Sequence, residues 1–186
     1  MVITNNTSIV LRNITINDLE NYFYLKHPSR EYHKFNGPYF KQTTEEELKA
    51  CIKKLRTKLL NKDEGFHEVR QMIANKDTNE LIGEVSWYWK SKETLWMEVG
   101  IVIFNEKYWG KGIGYQALPL WIDILFEKYP QLVRLGLTTW SGNLRMIKLA
   151  EKTGLKCEAV YRKARIVDGK YYDSVSYGIL REERNS

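Results

Sequence analysis

The stretch Tyr108-Trp109-Gly110-Lys111-Gly112-Ile113-Gly114 decides how this chain is read. Its three glycines alternate between an apolar run ending at Phe104 and a helix-like run beginning at Ile113. Glycine adopts backbone angles that other residues avoid, and its missing side chain leaves N–H groups uncovered at the positive end of the following helix. Such a nest binds phosphate oxygens, and Lys111 adds a charge beside it. Taken alone, the loop is equally a turn that packs helix against strand.

Outward from the loop, Leu95 to Phe104 and Leu132 to Trp140 read as strands, with a helix from Ile113 to Lys128 between them. Pro119 falls in the early turns of that helix and need not break it. Strand, helix and strand in this order make a crossover, so the two strands lie parallel in one sheet. Upstream, the turn Asp63-Glu64-Gly65 precedes an antiparallel meander of His67 to Ala74, Leu81 to Trp89 and Leu95 to Phe104. Downstream, a helix from Asn143 to Lys152 closes at Gly154, and Glu158 to Ile166 pairs with Tyr171 to Leu180 around an Asp168-Gly169 turn.

The first sixty residues carry a short strand at Ile9-Val10-Leu11 and a helix from about Thr15 to His27. A loop from Pro28 to Lys41 follows, then a helix opened by the capping pattern Thr44-Glu45-Glu46-Glu47 and ending near Leu60. Together these elements predict the α/β (α+β) class: one domain spanning residues 1–186, built on a mixed, mostly antiparallel central sheet with helices on both faces.

Composition narrows the function. A chain of 186 residues with 43% hydrophobic and 28% charged residues has the length and usage of one folded domain. The net charge of +6 suits an anionic partner, but the basic residues are dispersed. The densest cluster, Lys49 to Lys62, alternates with Leu and Ile as a solvated helix face does, so no nucleic-acid partner is expected. Cys51 and Cys157 make no disulfide framework, Met1 to Asn6 has no leader pattern, and no apolar run reaches membrane-spanning length. A cytoplasmic protein without a membrane partner is expected. His27, His33 and His67 lack acidic or cysteine neighbours at ligand spacing, so no metal is expected.

Three kinds of phosphate site compete for the glycine loop. A mononucleotide P-loop needs Ser or Thr after Gly-Lys, and here Gly112 follows Lys111. A dinucleotide site needs an acid at the end of the next strand, where Thr138-Thr139-Trp140-Ser141 stands. The third is reached by resemblance. Glu98-Val99-Gly100-Ile101-Val102-Ile103, the loop from Trp109 to Gly114, and Asn143 through Leu155 together resemble the GNAT acyltransferase superfamily. That last stretch, continued by Arg165, Asp168 to Asp173 and Tyr177 to Leu180, looks like its RimJ/RimL-type branch of ribosomal-protein N-terminal acetyltransferases.

The resemblance implies acetyl-CoA as cosubstrate, with its pyrophosphate on Trp109, Gly110, Lys111, Gly112, Ile113 and Gly114. The pantetheine arm would lie along Gly100, Ile101 and Val102, on a strand splayed from its parallel neighbour, and Asn143 would add a contact besides capping its helix. Trp109 departs from the family's usual Gln or Arg at the first loop position.

Acetyl transfer to an amine needs a proton acceptor, because a primary amine near neutral pH is mostly ammonium. Glu98 is the first candidate, set among Leu95, Trp96, Met97 and Val99, where burial strengthens a carboxylate as a base; an ordinary salt bridge is the plain alternative. Glu84 ranks below it, because a Glu between Gly83 and Val85 usually faces solvent. Backbone N–H groups near Gly100 and Ile101 are placed to hold the oxyanion. The family's general acid is a Tyr or Ser, and Ala150 and Met146 occupy those places; Tyr161, Tyr171 and Tyr172 are substitutes, or cross-strand packing.

The expected function is N-acetyl transfer from acetyl-CoA to a primary amine on a small molecule or peptide, with a protein N-terminus foremost and polyamine, amino-sugar or antibiotic as alternatives. The amine is expected to enter between the 28–41 loop and the terminal hairpin, whose exposed strands also allow a homodimer. A coenzyme-A-binding module without catalysis is the competing class.

Overall fold

The computed structural model describes residues 7–63 and 65–184. Met1 to Asn6, and Glu64 of the expected 63–65 turn, lie outside them. Seven strands form one sheet: β1 (Ile9–Arg12), β2 (Arg70–Asn75), β3 (Leu81–Ser91), β4 (Trp96–Ile103), β5 (Arg134–Trp140), β6 (Lys156–Val167) and β7 (Lys170–Leu180), in the order β1-β2-β3-β4-β5-β7-β6. The helices are α1 (Leu19–Lys26), α2 (Glu45–Leu60), α3 (Gly65–Val69), α4 (Ile113–Lys128), α5 (Leu144–Lys152) and α6 (Arg181–Arg184). The β4–β5 pair is parallel, as the crossover requires, and β1–β2, β2–β3, β5–β7 and β6–β7 are antiparallel.

The described chain divides into two compact units, residues 7–86 with 101–113, and residues 87–100 with 114–184; β3 and β4 run through both. In the first, Ile14, Leu19, Tyr22, Leu25, Leu55, Met72 and Phe104 form a buried core. Leu19, Tyr22 and Leu25 recur at helical spacing, so α1 turns one stripe inward. The Thr44 hydroxyl accepts the Glu47 N–H at 3.2 Å while the Glu47 carboxylate accepts the Thr44 N–H at 2.8 Å, closing the capping box read from the sequence. Beyond that cap, α2 buries only Leu48 and Leu55, which leaves its lysines in solvent.

In the second unit Ala117, Leu118, Trp121, Ile122, Leu125 and Phe126 of α4 are buried. Each large side chain contributes about 1.5–3 kcal/mol by leaving water. The helix runs through Pro119, whose missing N–H affects only the carbonyl of Tyr115, on an exposed turn. Asp168 and Gly169 hold positive φ between β6 and β7, the backbone of the expected tight turn.

Two expectations need correction. Residues His67 to Val69 belong to the short helix α3, so β2 begins at Arg70. The second concerns β3: Leu81 to Val85 are buried at every position, both faces being covered, so Glu84 does not face solvent.

Gly83 carries the closest approach in the first unit: a Cβ there would lie 2.2 Å from the Val102 carbonyl oxygen of β4. We predict that Gly83→Ala destabilises the protein by about 2 kcal/mol through overpacking. A urea melt with an unchanged midpoint would contradict it.

Candidate functional site

The glycine loop is anchored before it opens. Asn105 accepts the Lys107 N–H at 3.0 Å, starting a single 3-10 turn from Glu106 to Tyr108. Lys107 and Tyr108 both donate to Glu80, each at 2.6 Å. Trp109 donates its indole N–H to the Ile103 carbonyl at 2.9 Å and meets Phe35 edge-on. The tryptophan that departs from the family pattern therefore pins the loop to the end of β4.

Beyond Trp109 the chain is exposed at Gly110, Lys111 and Gly112, and returns to the core at Ile113. Gly110 and Gly112 have φ of +72° and +75°, and a Cβ on either would meet nothing within 4 Å. No neighbouring atom crowds these glycines. Their requirement is the left-handed backbone, which turns N–H groups into space an anion can fill. Gly114 lies in the first turn of α4 without positive φ, so two of the three glycines shape the nest.

The strand before the loop is released from its parallel partner. β4 and β5 pair at Met97–Leu135 and Glu98–Gly136 and nowhere further along, whereas β5 stays paired with β7 to Trp140. From Val99 through Gly100, Ile101 and Val102 the β5 side of β4 is open, as a splayed pair requires.

Glu98 lies at the point of release, 1% exposed. It accepts hydrogen bonds from the Tyr88 hydroxyl at 2.6 Å and the Thr138 hydroxyl at 3.0 Å, and pairs with the Lys90 ammonium at 3.2 Å. Thr138 in turn lies 3.1 Å from the Ser176 hydroxyl. Glu98 thus makes a salt bridge and also ends a short chain of hydroxyls. Neither Thr138 nor Ser176 was read from the sequence as a partner of Glu98, because partners from β5 and β7 leave no local spacing signal.

Glu84 belongs to a separate cluster. Its carboxylate accepts from the Tyr22 hydroxyl at 2.6 Å and pairs with Lys26 at 3.1 Å and Arg70 at 2.8 Å. Burial raises its pKa, but Lys26, Arg70 and Tyr22 outweigh burial and hold the carboxyl below its ordinary range. A carboxylate stabilised in this way is a poor base, a reason other than exposure for ranking Glu84 below Glu98.

Asn143 caps α5, its Oδ1 accepting the Met146 N–H at 3.2 Å. Ala150 of α5 is fully buried, so that position holds packing. Tyr161 and Tyr171 are exposed, and Tyr172 packs edge-on against Trp140 at 4.8 Å, the cross-strand role. A further tyrosine, Tyr177, is buried, with its hydroxyl donating to Glu151 at 3.1 Å; burial and that carboxylate push its pKa up to about 12. Among the described residues no helix is long and apolar enough to cross a membrane.

A nest at a helix start and a strand freed from its neighbour are the features that the GNAT resemblance implies, and comparison with known proteins gives the family. The family described as Acetyltransferase (GNAT) domain matches residues 8–156. The chain belongs to the GNAT acetyltransferases. It is 28% identical over 142 residues to the uncharacterized N-acetyltransferase YnaD of Bacillus subtilis, covering 76% of this chain and 77% of that one. In structure it resembles a spermidine N-acetyltransferase from Vibrio cholerae solved with CoA and spermine, at TM-score 0.72 and 19% identity, over 97% of this chain and 100% of that one. It also resembles RimL, a ribosomal L7/L12 α-N-protein acetyltransferase solved with coenzyme A, at TM-score 0.70 and 18% identity, over 97% and 98% of the two chains. These two likenesses establish the fold.

The Glu84 cluster gives a test in acid. Its folded pKa lies below the ordinary 4.5, so its stabilisation is complete above that pH and is lost as pH falls through the folded value. We predict that the thermal midpoint drops more between pH 7 and pH 3 in the wild type than in Glu84→Gln. Equal drops would contradict the account.

Proposed function

We propose that this GNAT enzyme, acting as one acyl-CoA N-acyltransferase domain over residues 1–186, moves an acetyl group from acetyl-CoA to a primary amine. The observation that carries the reading is the open nest at Gly110 and Gly112, anchored by Trp109 and leading into α4. In this reading Trp109 to Gly114 hold the pyrophosphate, Gly100, Ile101 and Val102 receive the pantetheine arm, and Asn143 adds a contact from the start of α5. Both structural relatives named above were solved with coenzyme A, which supports the cosubstrate. The enzyme works in the cytoplasm and needs no metal, and a second copy would pair along β6, where Val160, Tyr161 and Ile166 are exposed.

The chemistry follows from the amine. Its lone pair attacks the thioester carbonyl, the C–N bond forms, backbone N–H groups near Gly100 and Ile101 hold the oxyanion, and the C–S bond breaks. Glu98 takes the amine's proton through the Ser176 and Thr138 hydroxyls, which lie 3.1 Å apart, the Thr138 hydroxyl already donating to its carboxylate. The thiolate leaves with a proton from water, since no residue of α5 stands in the acid's place; a thiol with pKa near about 8.5 is a tolerable leaving group.

Two outcomes test the reading. Gly112→Val forces a branched side chain onto left-handed backbone and fills the nest, so acetyl-CoA affinity measured by calorimetry should fall at least about 100-fold while the circular dichroism spectrum is retained. Unchanged affinity would remove the loop from the site. Glu98→Gln should lower turnover at neutral pH about 100-fold and recover part of it as the acceptor amine deprotonates at higher pH. A pH profile parallel to that of the wild type would remove Glu98 from proton transfer.

A further inference from the structure

A cavity of about 190 Å³ opens in the unit of residues 7–86 and 101–113, lined by Lys26, Tyr32, His33, Glu84, Val102 and Phe104 among others. It lies under the 28–41 segment, in which residues Glu31–Lys34 make a 3-10 turn that turns Tyr32 inward. Val102 and Phe104 form its wall on the β4 side, and Val102 is the last strand residue assigned above to the pantetheine arm. The volume is below the roughly 300–1,000 Å³ of pockets that enclose drug-sized ligands, so it suits one residue-sized group.

Two polar atoms here have no partner among the described residues. Tyr32 is 4% exposed and its hydroxyl, buried, makes no hydrogen bond; the same holds for Nε2 of His33. An unsatisfied buried polar group costs about 1–3 kcal/mol, and two adjacent ones, with their rings 4.1 Å apart, ask for a ligand. Their chemistry is complementary. Burial lowers the His33 pKa, against the backbone at Lys26 and His27 that raises it, so the ring is neutral at pH 7 and Nε2 can accept an N–H. Burial, with Glu84 nearby, raises the Tyr32 pKa well above its ordinary value, so its hydroxyl keeps a proton to donate.

Charge decides what kind of amine fits. The cavity's one carboxylate, Glu84, is already shared between Lys26 and Arg70 and accepts a third bond from Tyr22. Lys41 at the rim is answered by Glu47 at 3.3 Å. Lys26 of the lining and Arg70 outside it set two cations against the Glu84 carboxylate, a positive excess around that carboxylate. A polyamine would bring several ammonium groups to a site without a free counter-charge, whereas an acceptor with a carboxylate beside its amine would meet one.

We propose that this cavity is the acceptor pocket and that it selects a compact amine flanked by a carboxylate, as at an acidic peptide N-terminus, over a polyamine. The Nε2 of His33 receives an amine N–H, while the Tyr32 hydroxyl and the Lys26 ammonium hold the carboxylate. The assignment rests on the acetyl-transfer reading, but its test does not require turnover.

Binding to the CoA-loaded full chain is measured by calorimetry for an acidic tripeptide with a free N-terminus, a lysine-rich tripeptide and spermidine, and initial acetylation rates with acetyl-CoA are measured for the same three. The acidic tripeptide should bind at least about 10-fold more tightly than the other two, and Tyr32→Phe should remove about 10-fold of that affinity and raise its KM to match. Because the Tyr32 hydroxyl is unpartnered, Tyr32→Phe should leave the thermal midpoint unchanged or higher and acetyl-CoA affinity intact, so a lost contact is distinguished from a damaged fold. Selective binding without acetylation would sink the transferase reading and keep the pocket. Preferred spermidine, no binding of the acidic tripeptide, or unchanged binding in Tyr32→Phe would overturn the pocket assignment.

Discussion

A strand inside a sheet has two rows of backbone donors and acceptors to satisfy, and β4 is served by β5 over two residues only. The rest of the architecture follows from that release. β5 does not drift with β4, because its other edge is paired with β7 along its full length from Arg134 to Trp140. β4 is held on its far side by β3, where the absence of a side chain at Gly83 admits the Val102 carbonyl. The strand that opens is thus fixed from one side and exposed on the other, and the glycine loop begins where it ends.

The glycine loop is shaped from both of its ends. Its first half is tied down by Glu80 and by the Ile103 carbonyl, and its second half returns to the core at Ile113. Between them Gly110 and Gly112 stand free of crowding and carry the left-handed backbone. Preorganisation of this kind means an anion finds its donors already aimed, with little ordering left to oppose binding. The two buried carboxylates differ in the same physical terms. Glu84 is locked by two cations, whereas Glu98 has one cation and a path of hydroxyls.

Much of the fold was legible in the sequence because its signals are local. Alternation, helical spacing, the Thr44 capping box and the Asp168-Gly169 turn each reside within a few residues. Misreadings came where tertiary covering overrode pattern. Glu84 looked like the polar face of a strand, and nothing local shows that both faces of Leu81 to Val85 are covered. His67 to Val69 alternate like a strand yet complete a helical turn. Of the site, the nest and the Asn143 cap could be read directly, whereas Glu98's neighbours arrive from β3, β5 and β7. Tyr32 and His33 sat in the 28–41 loop, read as one side of the amine's entry without a role for either residue, and their unpartnered buried atoms become visible only in three dimensions.

The proposed acetyl-CoA cradle is the backbone from Gly110 to Gly114 with the open side of β4 before it. Amide hydrogen exchange with and without saturating acetyl-CoA tests it at the atoms concerned. Slowed exchange is expected at Gly110, Lys111, Gly112, Ile113 and Gly114 and along Gly100 to Val102, with the hairpin turn at Asp168 and Gly169 unchanged. Unaltered exchange at these loop amides in the presence of bound acetyl-CoA would contradict it.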